Sequence, residues 1–268
     1  MPSPRVAPGP FRADQIREGD PYELSDGHAI YCAPAGHRHG GTQNAGASAL
    51  ASDPAVNGHV SIDVGIAFND NKNLRAPDLI VTDNTPLQPG WLRTVPPLAV
   101  EYADVGQDEA ELATKISELL TLGVRYLWVV RLHGPLRVEV HVRGEPMRIL
   151  GADDTLTAPG VLQNPLPVRA LVDPATSRAV TLRNLLQSQG YASIAEIQAE
   201  SHATGKLEGK LAGKLEATAA NILTLLQLRE VAVPPEVAAT IRASHDLEQL
   251  ERWLRRALTV TTTDELLA

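Results

Sequence analysis

Two acids and a lysine in the middle of this 268-residue chain are of the types that metal-assisted phosphate chemistry uses. Asp78 follows Pro77 at the start of the apolar run PDLIVTD (77–83), and Glu101 lies near the end of a second such run, PPLAVEYAD (96–104). Lys115 falls in the stretch from Asp108 to Leu122. Hard divalent cations take oxygen ligands, and Mg²⁺ typically uses one or two carboxylates while keeping several waters. Such an ion polarises a phosphodiester and generates a hydroxide nucleophile near neutral pH. A lysine beside it can orient the attacking water or stabilise charge developing on phosphate. Each residue also has a plainer use. An Asp after proline is commonly a turn or cap residue, and Lys115 has Glu111 at i,i−4 for a surface pair. Glu101 is harder to dismiss, because a carboxylate inside LAVEY must be paired or ligated if buried.

The elements that must position these groups follow from patterning. YELSDGHAIYC (22–32) alternates about a Ser-Asp-Gly turn and predicts a β-hairpin. The small-residue segment 37–53 is weakly helical, and HVSIDVGIAF (59–68) alternates as one half-buried strand. Asn69–Asn73 reads as a turn, and 77–83 and 96–104 read as strands. From Asp108 to Leu122, Leu112, Ile116, Leu119 and Leu120 make one apolar face, and Gly123 ends the helix. Lys115 lies about 60° from Leu112, at the border of that face. VRYLWVVRL (124–132) reads as a buried strand, and 137–142 with 146–150 as an outer hairpin. If the strands bearing Asp78 and Glu101 are neighbours, both carboxylates project toward one ion.

In this order the pieces resemble the Uma-two family of the PD-(D/E)XK nuclease superfamily, over roughly residues 20–172. The likeness rests on Glu23, Leu24 and Gly27 in the hairpin, and on His39 before the first core helix. It continues through Pro77-Asp78, Glu101, the Glu111 and Lys115 pair, and Gly123, Val124, Tyr126 and Val129. The resemblance implies an α/β restriction-endonuclease-like core, a central mixed sheet flanked by helices, acting as a DNA endonuclease with Mg²⁺ or Mn²⁺. It implies Asp78 and Glu101 as metal ligands and Lys115 as a catalytic group on the helix, so Ala103 at the usual lysine position is no sign of a dead enzyme. The chain departs from the pattern after the glutamate, where it has Asp104 and Val105. Asp104 would add a ligand or repel phosphate. Glu23, His39, Asp104 and Glu111 are auxiliary candidates, Glu23 being equally suited to a hairpin salt bridge.

Bulk properties bound these readings. A net charge of −8 argues against a whole-surface nucleic-acid binder and leaves room for a small basic groove. Cys32 is the single cysteine, which excludes intramolecular disulfides and a four-cysteine zinc site and suits a reducing cytoplasm; it is expected to be a buried structural residue. No apolar run long enough for a membrane span occurs, and none in the first twenty residues resembles a signal peptide. His37 and His39 form an H-x-H pair without an evident third ligand. The expected organisation is a loose lead-in (1–20), the nuclease-like domain (21–175), linker helices (176–216) and a small helical domain (217–268). In the linker Gly205, Gly209 and Gly213 recur beside Leu207, Leu211 and Leu215, each glycine followed by a lysine. Such a stripe suits either a marginal linker helix or a helix–helix contact forming a homo-oligomer. The competing functional reading is thus a binding or assembly module on an inactive nuclease fold. Arg252, Arg255 and Arg256 near Trp253 form a further basic patch, either a solvated face or a nucleic-acid contact.

Overall fold

The computed structural model describes residues 9–83, 86–106 and 108–268. The chain divides into two compact units, Met1–Ala192 and Ser193–Ala268. The first is a restriction-endonuclease-like α/β fold. Strands β1 (Tyr22–Ser25) and β2 (His28–Tyr31) form the expected hairpin, with Asp26 and Gly27 in the left-handed region at its turn. Helix α1 (His37–Ala51) follows, then β3 (His59–Ile62), β4 (Ile66–Phe68), β5 (Asn73–Arg75), β6 (Leu79–Thr82) and β7 (Leu98–Ala103). Helix α2 (Glu109–Leu122) crosses to β8 (Tyr126–Arg131), and β9 (Arg137–Val142) and β10 (Arg148–Gly151) complete the outer hairpin.

Six strands make one mixed sheet in the order β10-β9-β8-β7-β6-β3, in which only β7 and β8 run parallel. That pair needs a crossover, which α2 supplies. Asp108 caps α2 by accepting from the amides of Ala110 and Glu111, and Gly123 ends it at φ 119°. Both faces of the sheet are covered, which is why β6, β7 and β8 read as nearly continuous apolar runs. One face packs Leu79, Val100, Tyr102 and Trp128 with Leu50 of α1 and Leu171; the other packs Ile80, Ala99 and Leu127 under Leu119 of α2.

Three expectations are corrected, and one further segment takes a defined form. The run 59–68 is two strands in different sheets: Asp63 takes φ 53°, and the chain leaves β3 for β4 in the antiparallel sheet β2-β1-β5-β4. Alternation alone cannot reveal that bend. Part of the 69–73 turn becomes strand β5, which pairs back on β4 once Asn69, Asp70 and Asn71 have reversed the chain at positive φ. Of the loose lead-in, residues 1–8 lie outside the described residues; the rest packs down, with Ala13 fully buried beside Leu24 and Leu74 and its carbonyl accepting from Trp91 Nε1 (2.8 Å). Residues 153–173 form a two-stranded ribbon, β11 (Thr155–Leu156) with β12 (Leu166–Pro167), and a three-ten turn that seats Val168 and Leu171 in the core.

Helix α3 (Pro174–Ser188), grouped by sequence with the linker, belongs to the first unit: Val180 enters its core and Ser177 Oγ donates to Ala45 O (2.7 Å). The second unit comprises α4 (Ile194–Leu228), α5 (Pro235–Ala243), α6 (Leu247–Arg256) and α7 (Thr263–Leu267). Ile222, Leu226, Ile241, Leu250, Trp253 and Leu266 form its core. Trp253 is therefore packed inside, while Arg252, Arg255 and Arg256 are exposed; the basic patch lacks an aromatic on its surface. Among the described residues, no helix is long and apolar enough to cross a membrane.

Candidate active site

Strands β6 and β7 are antiparallel neighbours in the register Leu79↔Val100. Continued one residue further, that register sets Asp78 opposite Glu101. Residues opposite one another on antiparallel strands project to the same side. Helix α2 reaches them with Lys115, whose Nζ lies 2.8 Å from Glu101 Oε1, 3.0 Å from Glu23 Oε1 and 2.8 Å from Ala76 O. Glu23 and Ala76 each accept one ammonium hydrogen, while the Glu101 contact is an ion pair without good hydrogen-bond alignment. Lys115 is engaged with Glu101 and Glu23, not with Glu111.

Helix α1 supplies the other wall. His39 Nε2 lies 2.8 Å from Asp78 Oδ1. An ionised carboxylate only accepts, so that nitrogen carries the hydrogen. Gln43 Nε2 donates to the same oxygen (2.9 Å) and to Asp63 Oδ1 (3.0 Å), and Tyr102 N donates to Asp78 Oδ2 (2.5 Å). Asp78 is fixed by three donors from two elements.

Behind Lys115 lies a second ring of charge. Arg75 is fully buried and pairs with Glu23 Oε2 (3.1 Å), Glu111 Oε1 (2.6 Å) and Glu118. Glu118 also accepts from Ser25 Oγ (2.6 Å) and Asn73 Nδ2 (2.8 Å), joining α2 to the four-stranded sheet. Glu23 therefore bridges the two cations.

The sequence-derived residues sort accordingly. Asp78, Glu101, Lys115, Glu23 and His39 converge. Glu111 supports the site from the Arg75 ring. Asp104 does not join: Arg38 of α1 binds both its oxygens, and it also accepts from Val105 N. Both expectations for Asp104, an extra ligand and a bare repulsive charge, give way to a paired carboxylate. His37 is exposed, and Cys32 is only half-buried, its thiol raised by burial. Four contributors escaped sequence reasoning. Asp63 sat inside an apparently regular strand, and Gln43 in a helix with almost no amphipathic signal. Arg75 lay in a strand only three residues long. Glu118 carries the same i+3 spacing from Lys115 that would mark an ordinary surface pair.

The electrostatics follow from two cations, Lys115 and Arg75, set among five carboxylates, Glu23, Asp78, Glu101, Glu111 and Glu118. Burial, reinforced by Asp78 and Glu23, pushes Glu101 up to about 8 despite Lys115. Burial alone would depress Lys115, but Glu101 and Glu23 outweigh it and hold the amine protonated above its ordinary range. The Asp78 hydrogen bond raises His39, and burial with Asp78 raises Asp63. A cluster so rich in negative charge, with one acid too poorly solvated to ionise easily, suits a divalent cation. Among the described residues, no group of three or more His, Cys, Asp or Glu is arranged to enclose a metal by itself. An ion such as Mg²⁺ typically takes one or two carboxylates and keeps several waters.

A profile of the Uma2 family, described as "Putative restriction endonuclease", matches residues 11–169. The chain belongs to this family. The Uma2 region covers every residue of the cluster just described. A crystal structure described as a "putative nuclease belonging to DUF820" from Anabaena variabilis shares the fold. Its TM-score is 0.54 at 17% identity, with 63% of this chain and 99% of that one covered. No curated protein matches the chain.

Proposed function

We propose that the Uma2 domain hydrolyses phosphodiester bonds in DNA as a divalent-cation-dependent endonuclease. The reading is carried by one observation: Asp78 and Glu101 face each other on neighbouring strands with the Lys115 ammonium on Glu101. Asp78 and Glu101 would hold Mg²⁺ or Mn²⁺, which when bound polarises the phosphodiester and lowers the pKa of water. The remaining chemistry belongs to the chain. His39, Gln43 and the Tyr102 amide hold Asp78 in one orientation, so little reorganisation is needed on binding. Glu23 and Ala76 O anchor two of the Lys115 donors, leaving the third to turn from Glu101 to a phosphate oxygen or the attacking water. Arg75 holds Glu23 from behind. Because the chain is acidic overall, DNA would be held through few phosphate contacts in a small groove, with a correspondingly modest salt dependence.

Incubating the purified protein with supercoiled plasmid in EDTA, Mg²⁺ or Mn²⁺ tests this reading. Cleavage is expected only with the ions. Asp78→Asn, Glu101→Gln and Lys115→Ala should each lower the rate by about 100-fold or more, the scale of losing one preorganised electrostatic group. Cleavage that survives Lys115→Ala or Asp78→Asn unchanged would sink the assignment.

A further inference from the structure

Outside the nuclease unit, helix α4 presents a stretch that its own unit does not use. Every residue from 198 to 214 is exposed, and Leu207 and Leu211 are 69% and 50% exposed. A Cβ added at Gly205, Gly209 or Gly213 would meet nothing within 4 Å. Ala199, Ala203, Leu207 and Leu211 recur every fourth residue and form one shallow ridge along the helix. The glycines lie two residues from the leucines, roughly 200° round the helix. They face away from the ridge, not beside it as the bare spacing suggests.

The charges flank that ridge in an unusual way. Lys206 and Lys210 precede the leucines and line one side; Glu200 and Glu208 follow Ala199 and Leu207 and line the other. A solitary exposed helix is stabilised when Glu and Lys stand three or four residues apart. Here no such pair exists between 198 and 214. Lys206, Lys210 and Lys214 instead stack at i,i+4, where like charges repel. Among the described residues, Glu200, Lys206, Glu208 and Lys210 have no ion-pair partner, and Lys214 turns to Glu251 (2.9 Å). Segregated flanks of opposite sign beside an apolar ridge are matched by a surface carrying the same three stripes.

We propose that α4 pairs in parallel with α4 of a second copy of this chain, across Leu207 and Leu211. The orientation follows from symmetry. A twofold axis along the helices sets the acidic flank of each copy against the basic flank of the other. An axis across them would set acid on acid and lysine on lysine. The pairing also buries the two leucines and relieves the lysine stack. It is independent of the nuclease reading, because none of these residues belongs to the Uma2 region.

Light scattering on the full-length protein during size exclusion should give the dimer mass. Leu207→Ser with Leu211→Ser should give the monomer mass with an unchanged near-ultraviolet circular dichroism spectrum, since both side chains are exposed in the single chain. Lys206→Glu with Lys210→Glu, and Glu200→Lys with Glu208→Lys, should each be monomeric alone and dimeric when mixed. In a Cys32→Ser background, Leu207→Cys and Leu211→Cys should each form a disulfide with their own kind, with no mixed 207–211 product. A monomeric wild type, or dimers unaffected by the serine substitutions, overturns the proposal. A mixed 207–211 crosslink overturns the parallel arrangement. A dimer broken by Gly209→Ile but not by Leu211→Ser moves the interface to the glycine side and overturns it as well.

Discussion

Replacing Glu101 by glutamine is expected to stabilise the metal-free protein while abolishing its proposed activity. The acid is 6% exposed and pushed from 4.5 up to about 8, chiefly by burial. A carboxylate whose folded pKa lies above its unfolded one favours folding only while protonated. Its contribution is intact below the unfolded value and is lost as pH rises through the folded one. At about 1.36 kcal/mol per tenfold change in proton affinity, the deficit relative to a neutral isostere is about 1 kcal/mol at pH 5. It grows to about 3 kcal/mol at pH 7 and about 4 kcal/mol at pH 8. Glutamine keeps an oxygen for Lys115 and never ionises, so it escapes this loss; Glu23 stays as the counter-ion of the ammonium, and the cost of losing its second carboxylate offsets part of the gain by the same amount at every pH. Urea unfolding of both proteins in EDTA at pH 5, 7 and 8 reads the difference. Millimolar Mg²⁺ should restore the wild type at pH 8 and leave the glutamine variant unmoved. A difference that stays flat between pH 5 and 8, or a variant less stable than wild type at pH 8, would refute the electrostatic account of the site.

Other outcomes follow from the packing. Arg75→Met leaves Glu23, Glu111 and Glu118 around an uncharged side chain and should cost about 3–5 kcal/mol in denaturant unfolding. Gly46→Ala drives a methyl into the Tyr102 hydroxyl and to 3.0 Å from Leu79, which should destabilise by about 1–3 kcal/mol. Tyr102→Phe removes the clashing oxygen, so a double-mutant cycle should show the pair less damaging than the sum, by about 1 kcal/mol. Asp104→Ala frees the Arg38 guanidinium and should tighten DNA binding by a few-fold at low salt, measured by fluorescence anisotropy, an advantage that disappears at high salt.

Much of this was legible in the chain itself because long elements announce themselves. The α2 pattern, its Asp108 cap and its Gly123 stop are local signals that tertiary context did not override. The apolar runs of β6, β7 and β8 marked a sheet covered on both faces. From there Asp78 and Glu101 needed only to be neighbours. What stayed hidden were contacts that bring distant, short pieces together. Asp63 turns the chain from one sheet to the other through a single positive φ, which residue alternation cannot encode. Arg75 sits on a strand too short to carry a period, yet it holds three acids. The fate of Asp104 depended on Arg38, 66 positions away. Sequence could flag Asp104 as a departure but could not say what it meets.

Glu23 joins the site from the opposite end of its domain, bonded to Lys115 across 92 positions and to Arg75 across 52. Closing such long loops consumes chain entropy before any contact can offset it. The hairpin, α1 and the strands up to β5 all leave the ribosome before Lys115 does. Until then Glu23 and Arg75 have each other, while Glu101 emerges without its lysine. The Glu23 arm of the cluster therefore has no local precursor: it closes only when α2 packs against the hairpin, after the Asp78 and Glu101 strands have already been made.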